Sequence, residues 1–440
     1  MYTQDTICAV ATAQGGAIGI IRVSGPEAIT VADRIFSPAS QDGLPLSGRK
    51  PYTLTFGTIR DAGGEVVDEV LVSLFRAPHS YTGEDSVEIS CHGSSYILQQ
   101  VMQLLIRNGC RAAGPGEFTQ RAFLNGKMDL SQAEAVADLI ASSSAATHRL
   151  AMNQMKGGFS KELAALREKL LHLTSLMELE LDFSDHEELE FADRSELKAI
   201  AAQIEQVIGG LVRSFSTGNA IKNGIPVAII GETNAGKSTL LNALLNEERA
   251  IVSDIHGTTR DVIEDTMNIG GVTFRFIDTA GIRETSDTIE SLGIERSFQK
   301  LEQADIVLWV IDRSAPHPDF ARLSGQILPR CAGKHLIVVW NKADLSGTDA
   351  AASLKEVLPQ AEMISISAKA RTGIRELQDM LLRAADIPEI TQSNVIVTNV
   401  RHYEALSKAL EAIHRVQEGM DMGLSGDLVS QDLRECLFHL

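Results

Sequence analysis

A glycine-rich segment that ends in a lysine and a serine has the residue types needed to bind a chain of phosphates. Residues 231–238 read GETNAGKS and match the pattern G-x-x-x-x-G-K-[ST], between a strand-like run, PVAII, and a helix-like run, TLLNALLN. The glycines allow the backbone to curl so that its N–H groups face the phosphates, and the helix N-terminus adds positive potential. Lys237 is expected to neutralise β- and γ-phosphate charge, and the Ser238 hydroxyl to ligate Mg²⁺. The phosphate-binding residues predicted from this loop are Asn234, Ala235, Gly236, Lys237, Ser238 and Thr239.

Two later motifs predict which base the nucleotide carries. NKAD, residues 341–344, ends the apolar run HLIVVW, and SAK, residues 367–369, follows EMISI. The Asp344 carboxylate can accept from the ring N1–H and the exocyclic amine of guanine, whereas adenine lacks both donors in that arrangement. A site that leaves buried polar groups unpaired rejects the wrong base, so these motifs favour GTP over ATP. The predicted guanine-pocket residues are Asn341, Lys342, Asp344, Ser367 and Ala368.

A third group of motifs is typical of segments that contact the third phosphate. DTAG, residues 278–281, follows the strand-like run VTFRF, and GTTRD, residues 257–261, precedes that run. In many GTPases a glutamine follows DxxG and positions the attacking water, but this chain has Ile282 there. The motifs therefore predict GTP hydrolysis and leave open which group orients the water. The candidate phosphate and metal ligands in these segments are Thr258, Thr259, Asp278, Thr279, Ala280 and Gly281.

Length and composition indicate an ordinary multi-domain globular protein. With 440 residues, 44% of them hydrophobic and 22% charged, the chain has room for about three domains. The formal net charge of −18 argues against a surface that wraps around a polyanion, so any RNA contact is expected to be local. The five cysteines show no CxxC spacing, which argues against a zinc site and a disulfide framework. Without a signal-peptide pattern or a run of about 18 apolar residues, we expect a cytoplasmic protein outside the membrane.

Hydrophobic periodicity divides the chain into four segments. Residues 1–119 mix short strand-like runs with one helical run, SSYILQQVMQLLIRNG, which predicts an α+β domain. Residues 120–221 and 384–440 carry apolar residues at steps of three and four, the pattern of packed helices. Residues 222–383 alternate apolar strand-like runs with helix-length segments, the pattern of a doubly wound parallel sheet. The predicted fold class is multi-domain α/β plus α, with a Ras-like P-loop G domain inserted into one helical domain.

Longer motifs resemble one family of GTPases over nearly the whole chain. GETNAGKSTLLNALL, AIVSDIHGTTRD and DTAGIRETSDTIESLGIERS look like the G domain of the MnmE (TrmE) family of tRNA-modification GTPases. Before that domain, DTICAVATAQGGAIGIIRVSG, SYTGEDSVEISCHG and GPGEFTQRAFLNGKMDLSQAEAVADLI resemble the same family. The resemblance implies a GTPase that acts with an FAD-dependent partner of the MnmG (GidA) type on C5 of the wobble uridine in certain tRNAs.

The resemblance also implies an answer to the question that Ile282 raises. Family members use a glutamate further along the switch, which corresponds to Glu290 here. They lack an arginine finger and use K⁺, which would neutralise charge that develops on the phosphates. From the residues alone, Glu290 could instead be a surface glutamate and Asn234 a loop-capping residue. The implied ligands are Asn234, Ser253, Ile255 and Thr258 for K⁺, with Ser253 also in the nucleotide site, and Ser238 and Thr259 for Mg²⁺.

By the same resemblance, the N-terminal domain binds a tetrahydrofolate derivative as one-carbon donor and forms a homodimer. Arg22, Glu88 and Lys127 match the family's folate-site positions. A carboxylate suits the amino-pyrimidinone ring of a folate, and cations suit its glutamate tail. Without the resemblance, each of the three residues would be interpreted as a surface charge. The implied assembly is a heterotetramer of the homodimer with the flavin partner, and tRNA is the macromolecular substrate.

Two other functional classes stay open at the level of the sequence. A ribosome-assembly or general RNA-binding GTPase usually carries a strongly basic domain. This sequence has no strongly basic block, and the nearest candidate is the group Arg107, Arg111, Arg121 and Lys127. The other class is a folate-dependent transfer enzyme in which the GTPase is a regulator.

The C-terminal sequence departs from the family pattern. The family ends in a short Cys-x-Gly-Lys motif, whereas this chain ends in DLRECLFHL. Cys436 lies within a helical pattern, so we interpret it as a packing residue. Either a C-terminal segment is missing from this chain or this member lacks the function of that motif. We expect the former, and in both cases we expect the G domain to work.

Overall fold

In a computed structural model, the chain forms two compact units, Met1–Ala137 and Asp138–Leu440. The structure describes residues 5–13, 15–40, 43–182, 194–232, 234–248, 265–277, 301–314, 324–325, 327–345, 361–387 and 395–440.

The first unit is built on a seven-stranded sheet of order β3-β4-β5-β6-β2-β1-β7. Neighbouring strands are antiparallel except β1 and β7, which are parallel. The sequence predicts strand-like runs at AIGIIRVSG, TLTFGTIR, EVLVSLFRAP and DSVEISCHG and one helix near residue 100, and all are confirmed. The elements are β1 Ile7–Val10, β2 Ile18–Ser24, α1 Ala28–Ile35, β3 Phe36–Pro38, β4 Leu54–Arg60, β5 Val66–Phe75, β6 Ser86–His92, α2 Ser95–Arg107, β7 Arg111–Ala112 and α3 Glu117–Leu124.

Alternation along the strands gives this sheet one buried and one outer face. In β5, Val70, Val72 and Leu74 are buried with the apolar sides of α1 and α2, while Leu71 points to the other face and is 45% exposed. This period of two is the one that a half-buried strand requires. The sequence of the unit therefore fixes which strand residues form the core and which are available to solvent.

A cluster of ion pairs holds α3 against the start of the first unit. The Arg121 guanidinium, with its side chain 8% exposed, lies 2.6 Å from Asp5, 3.2 Å from Glu84 and 3.1 Å from Glu117. Arg111 also pairs with Asp5 and Glu117, and its hydrogen bond is the main reason why the pKa of Asp5 falls to about 2. α3 therefore packs within the first unit through these contacts. The division of the chain into four segments stays a prediction.

The second unit contains a helical part and an α/β part. In chain order its elements are α4 Leu130–Ala141, which begins in the first unit, α5 Ala145–Met155, α6 Gly158–Asp182, α7 Arg194–Asn223, β8 Ile225–Gly231, α8 Lys237–Glu248, β9 Asp265–Ile269, β10 Val272–Phe276, β11 Ile306–Asp312, β12 His335–Asn341, β13 Glu362–Ser365, α9 Ile374–Ala384, α10 Val400–Asp421 and α11 Gly426–His439. None of the helices in the described ranges is long and apolar enough to cross a membrane.

The helical part has one core to which both flanks of the α/β part contribute. Leu170 and Leu173 of α6 pack in it with Ile413 of α10 and with residues of α7 and α11. This confirms the stripe of apolar residues at steps of three and four that the sequence shows. Cys436 of α11 is fully buried in the same core, as predicted for a packing residue. The helices before and after the α/β part therefore form a single bundle.

The α/β part is a six-stranded sheet of order β13-β12-β11-β8-β10-β9. Five strands are parallel, as predicted, but β9 is antiparallel to β10. The two strands are joined by Gly270 and Gly271, with φ of 58° and 86°, which form a two-residue hairpin turn that other residues adopt with strain. The Ala146 N–H of α5 donates to the Gly271 carbonyl at 3.2 Å, so this hairpin also contacts the helical part.

Candidate nucleotide-binding site

The glycine-rich loop connects the end of β8 to the start of α8, as the sequence predicts. Three of its residues have positive φ: Gly231 at 149°, Asn234 at 64° and Gly236 at 94°. The Lys237 ammonium donates to the carbonyls of Gly231 at 2.8 Å and Glu232 at 2.7 Å. The loop therefore folds over its own lysine, and a cation and the first N–H groups of α8 lie at the same place, which suits an anion.

Both glycines of the motif are required by neighbouring atoms. A Cβ added at Gly231 would lie 2.2 Å from the Val310 carbonyl oxygen of β11. A Cβ added at Gly236 would lie 2.1 Å from Asn341 Nδ2. Since real Cβ atoms do not approach other atoms so closely, no side chain fits at either position without a shift of the loop.

Asn341 of the NKAD motif connects the glycine-rich loop to the SAK segment. Its side chain is buried at the end of β12, where Nδ2 donates to the Ala235 carbonyl of the glycine-rich loop at 2.9 Å. Its Oδ1 accepts from the Ala368 N–H at 3.0 Å, which is in the SAK segment. The amide thus makes one bond to each of two loops that are far apart in sequence, and it holds them at the carboxyl edge of the parallel sheet.

The predicted guanine acceptor lies next to this junction. The Ser367 hydroxyl donates to Asp344 Oδ1 at 2.6 Å and accepts from the Ala370 N–H at 3.1 Å. The hydrogen bond from Ser367 is the main cause of a lowered pKa for Asp344, so the carboxylate is ionised at neutral pH. Asp344 is exposed, which leaves its carboxylate accessible to the donor edge of a base.

One charged residue near the site was missed by motif analysis. Asp312 ends β11, beside Asn341 in the sheet, and its Oδ2 lies 2.5 Å from the Lys342 ammonium. Burial of Asp312 raises its pKa, but Lys342 and the neighbouring Ser314 outweigh that effect, and the pKa is lowered. A carboxylate at the carboxyl end of an apolar parallel strand was the available signal, since such ends surround the ligand in open α/β sheets.

Several predicted site residues lie outside the described ranges. β10 ends at Phe276, and the Ile277 N–H donates to the Val227 carbonyl at 3.0 Å, so Ile277, the last described residue before the DTAG motif, lies next to β8. Ser238 is the second residue of α8, and its hydroxyl is a hard oxygen donor of the kind that Mg²⁺ prefers. The predicted residues outside the described ranges are Ser253, Ile255, Thr258, Thr259, Asp278, Thr279, Ala280, Gly281 and Glu290.

The structure brings together two of the three residues predicted in the N-terminal unit. Arg22 and Glu88 are direct partners across β2 and β6, and the Arg22 guanidinium lies 2.8 Å from Glu88 Oε1. The same guanidinium lies 5.1 Å from the ring centroid of Tyr81 and 5.6 Å from that of Phe118. Lys127 makes a separate contact, in which its ammonium donates to the Pro78 carbonyl at 3.0 Å. Arg22 therefore stands between aromatic rings and a carboxylate, a combination that suits a flat polar ring.

Comparison with known proteins supports one family over the whole chain. A family model described as "GTP-binding protein TrmE N-terminus" matches residues 6–127, and one described as "MnmE helical domain" matches residues 130–440. The chain is 72% identical to the tRNA modification GTPase MnmE of Bacteroides thetaiotaomicron over 442 residues, which is 99% of this chain and 94% of the relative. It is 52% identical to the protein of the same name from Flavobacterium johnsoniae over 445 residues, 100% of this chain and 95% of that one. Among solved structures, GDP·AlF4⁻-bound Era from Aquifex aeolicus matches 42% of this chain and 66% of its own at 31% identity, with a TM-score of 0.29. From the family models and the full-length relatives, we conclude that the chain belongs to the MnmE (TrmE) family of tRNA modification GTPases.

Proposed function

We propose that this GTPase acts in tRNA modification by coupling its nucleotide cycle to a change at C5 of the wobble uridine. The observation that carries the GTPase part is the contact of Asn341 with both Ala235 and Ala368, because it assembles the phosphate loop and the guanine pocket into one site. The tRNA part rests on the relatives, which are named tRNA modification GTPases and align with this chain over 94% of their length.

Residues of the glycine-rich loop, the NKAD segment and the GTTRD segment would have separate parts in binding the nucleotide and its metal ion. The backbone N–H groups of the loop and Lys237 would hold the phosphates, and Asp344 would read the guanine edge. Ser238 and Thr259 would hold Mg²⁺, which supplies positive charge to the phosphate oxygens when bound. Lys237 bonds to two loop carbonyls, and a phosphate chain would provide stronger, charged acceptors for the same three ammonium protons.

The guanine assignment is tested by Asp344→Asn. The amide keeps one acceptor for the ring N1–H, but its NH₂ faces the exocyclic amine of guanine, so GTP affinity is expected to fall about 100-fold. Xanthine carries an oxygen at that position, so XTP should bind and be hydrolysed by the variant better than GTP. Turnover of GTP and of XTP, measured for wild type and for the variant, tests this change of nucleotide preference. An unchanged GTP preference in the variant would show that Asp344 does not contact the base.

We further propose that the N-terminal unit binds a tetrahydrofolate derivative beside Arg22. Tyr81 and Phe118 offer rings on which a pterin could stack, and Glu88 offers acceptors for its amino-pyrimidinone donors. Lys127 would face the glutamate tail after exchanging its bond to the Pro78 carbonyl for a carboxylate.

The folate site is tested by Arg22→Ala. Because the guanidinium holds Glu88 and lies near both rings, folate affinity is expected to fall at least about tenfold, with GTP turnover unchanged. Calorimetric titration with a tetrahydrofolate derivative measures the affinity. Arg34→Ala is a matched control, since Arg34 is in the same unit but donates to the Asn108 carbonyl. Equal folate affinities in Arg22→Ala and wild type would contradict a folate site beside Arg22.

Homodimerisation through the N-terminal sheet is also part of the proposal. Leu54, Phe56 and Leu71 lie on its outer face and are 67%, 51% and 45% exposed, and Phe56 and Leu71 are direct partners across β4 and β5. An apolar patch of this kind on a soluble unit indicates a protein contact. Light scattering should give the mass of two chains, and a monomeric mass at micromolar concentration would contradict this part.

Binding to an FAD-dependent partner of the MnmG type would distinguish the proposed function from that of an RNA-binding GTPase. Arg111 and Arg121, two of the four residues that are the nearest candidate for the rival's basic domain, form ion pairs with carboxylates and present less net positive charge to RNA than their types suggest. We expect this chain to co-purify with the flavoprotein. Absence of that complex, together with absence of folate binding, would favour the rival.

A further inference from the structure

The carboxylate of Asp312 stands beside the guanine segment with both of its oxygens occupied. Oδ2 contacts the Lys342 ammonium, and the side chains of Asp312 and Lys342 are 17% and 30% exposed, so the pair is partly shielded from solvent. Oδ1 accepts from the Ser314 N–H at 2.8 Å and from the Ser314 hydroxyl at 2.6 Å. These contacts fix the orientation of the carboxylate and, through it, the end of the Lys342 side chain.

The backbone at Lys342 gives this contact its importance. Lys342 has φ of 65°, in the left-handed region that residues with a side chain seldom adopt. Such a conformation persists when surrounding contacts hold it. The Arg313 N–H donates to the Asn341 carbonyl at 3.1 Å, and the Ala343 N–H donates to the Ile366 carbonyl at 3.0 Å, so the turn is held on both sides of Lys342. The ion pair with Asp312 holds its side chain.

We propose that Asp312 is a positioning residue for guanine recognition, which binds Lys342 and thereby fixes the turn that presents Asp344 to the base. This inference rests on the proposed function, because it requires a guanine nucleotide in the pocket. Asp344 must meet two donors of the base at once, so both of its oxygens have to be aimed. A small rotation of the 341–344 turn would weaken the bond to the exocyclic amine, and with it the preference for guanine.

Asp312→Asn tests the proposal in the full-length chain. The amide keeps the size of the side chain and an acceptor for Ser314, but it removes the charge that holds Lys342. We expect the affinity for GDP to fall about tenfold and that for IDP, which lacks the exocyclic amine, to fall less, so that the GDP-to-IDP preference decreases several-fold. Competition of each nucleotide against a fluorescent GDP analogue measures both affinities.

Two further variants separate positioning from a general loss of structure. Asp138→Asn is the matched control, because Asp138 forms an ion pair with Lys222 at 2.8 Å, with a side chain 23% exposed, away from the guanine segment. It should leave the GDP-to-IDP preference unchanged. Lys342→Met, made in wild type and in Asp312→Asn, completes a double-mutant cycle. In the Lys342→Met background, Asp312→Asn should change the GDP-to-IDP preference by less than about twofold.

Each outcome bears on one claim. A GDP-to-IDP preference in Asp312→Asn equal to that of wild type overturns the positioning role, and so does an equally large effect in the Lys342→Met background. If wild type binds no guanine nucleotide, the proposed function itself fails. If Asp344→Asn loses GDP while Asp312→Asn retains wild-type affinity and preference, the guanine site stands and the positioning role alone is refuted.

Discussion

Gly236→Ala is expected to lower the affinity for GDP and GTP at least about 100-fold. The added Cβ would lie 2.1 Å from Asn341 Nδ2, and Gly236 has φ of 94°, which an alanine adopts with strain. Asn341 cannot move away, because its amide is buried and bonded to both Ala235 and Ala368. Strain of about 1–3 kcal/mol adds to the clash, so the loop must shift and its N–H groups no longer converge on the phosphates.

Gly333→Ala provides the control for this prediction. Gly333 lies in the same α/β part and has φ of 76°, but no atom lies within 4 Å of the Cβ position. The substitution carries the backbone strain without the clash, so nucleotide affinity should stay within about twofold of wild type. Titration of a fluorescent GDP analogue into both variants gives the comparison. If the two lose affinity equally, the contact with Asn341 does not explain the requirement for glycine.

The order and placement of the nucleotide motifs could be predicted from the sequence because each is local. A glycine-rich loop between a strand and a helix, NKAD at the end of β12 and SAK after β13 all follow from short patterns and their flanking periodicity. The apolar stripe that includes Leu170 and Leu173 likewise predicted a helix core from spacing alone. Such features depend on neighbours within one or two turns of chain, which is the range that sequence patterns describe.

The contacts that join separate elements could not be predicted in the same way. The pairing of Arg22 with Glu88 depends on the register of β2 against β6, and the burial of Arg121 depends on the position of Asp5, 116 residues earlier. Asp312 was missed because its partner, Lys342, follows the end of the neighbouring parallel strand, β12, 30 residues later in the chain. The antiparallel strand β9 could have been found, since adjacent glycines between two strand-like runs are a hairpin signal.

Replacement of Glu290 is expected to reduce GTP turnover about 100-fold, since this glutamate, by family resemblance, takes the role of orienting the attacking water that Ile282 cannot perform. Glu290→Gln keeps the length of the side chain and should recover part of the loss if orientation through a hydrogen bond is its role. Single-turnover hydrolysis with pre-bound GTP measures the chemical step directly. A wild-type rate in Glu290→Ala would mean that another group, from this chain or an activator, orients the water.

The same assay in K⁺ and in Na⁺ tests whether a monovalent cation replaces the arginine finger. An arginine finger is worth about 10³-fold or more, so we expect K⁺ to raise wild-type turnover at least about tenfold over Na⁺. Asn234→Gly should abolish that ratio, because glycine accepts the φ of 64° seen at Asn234 and removes the amide oxygen that would bind K⁺. Asn234→Ala removes the same oxygen but adds backbone strain. If both variants turn over GTP more slowly but keep the wild-type ratio of turnover in K⁺ to turnover in Na⁺, Asn234 shapes the loop and does not bind K⁺. Since the ratio compares one variant with itself, it separates loss of the cation from damage to the loop.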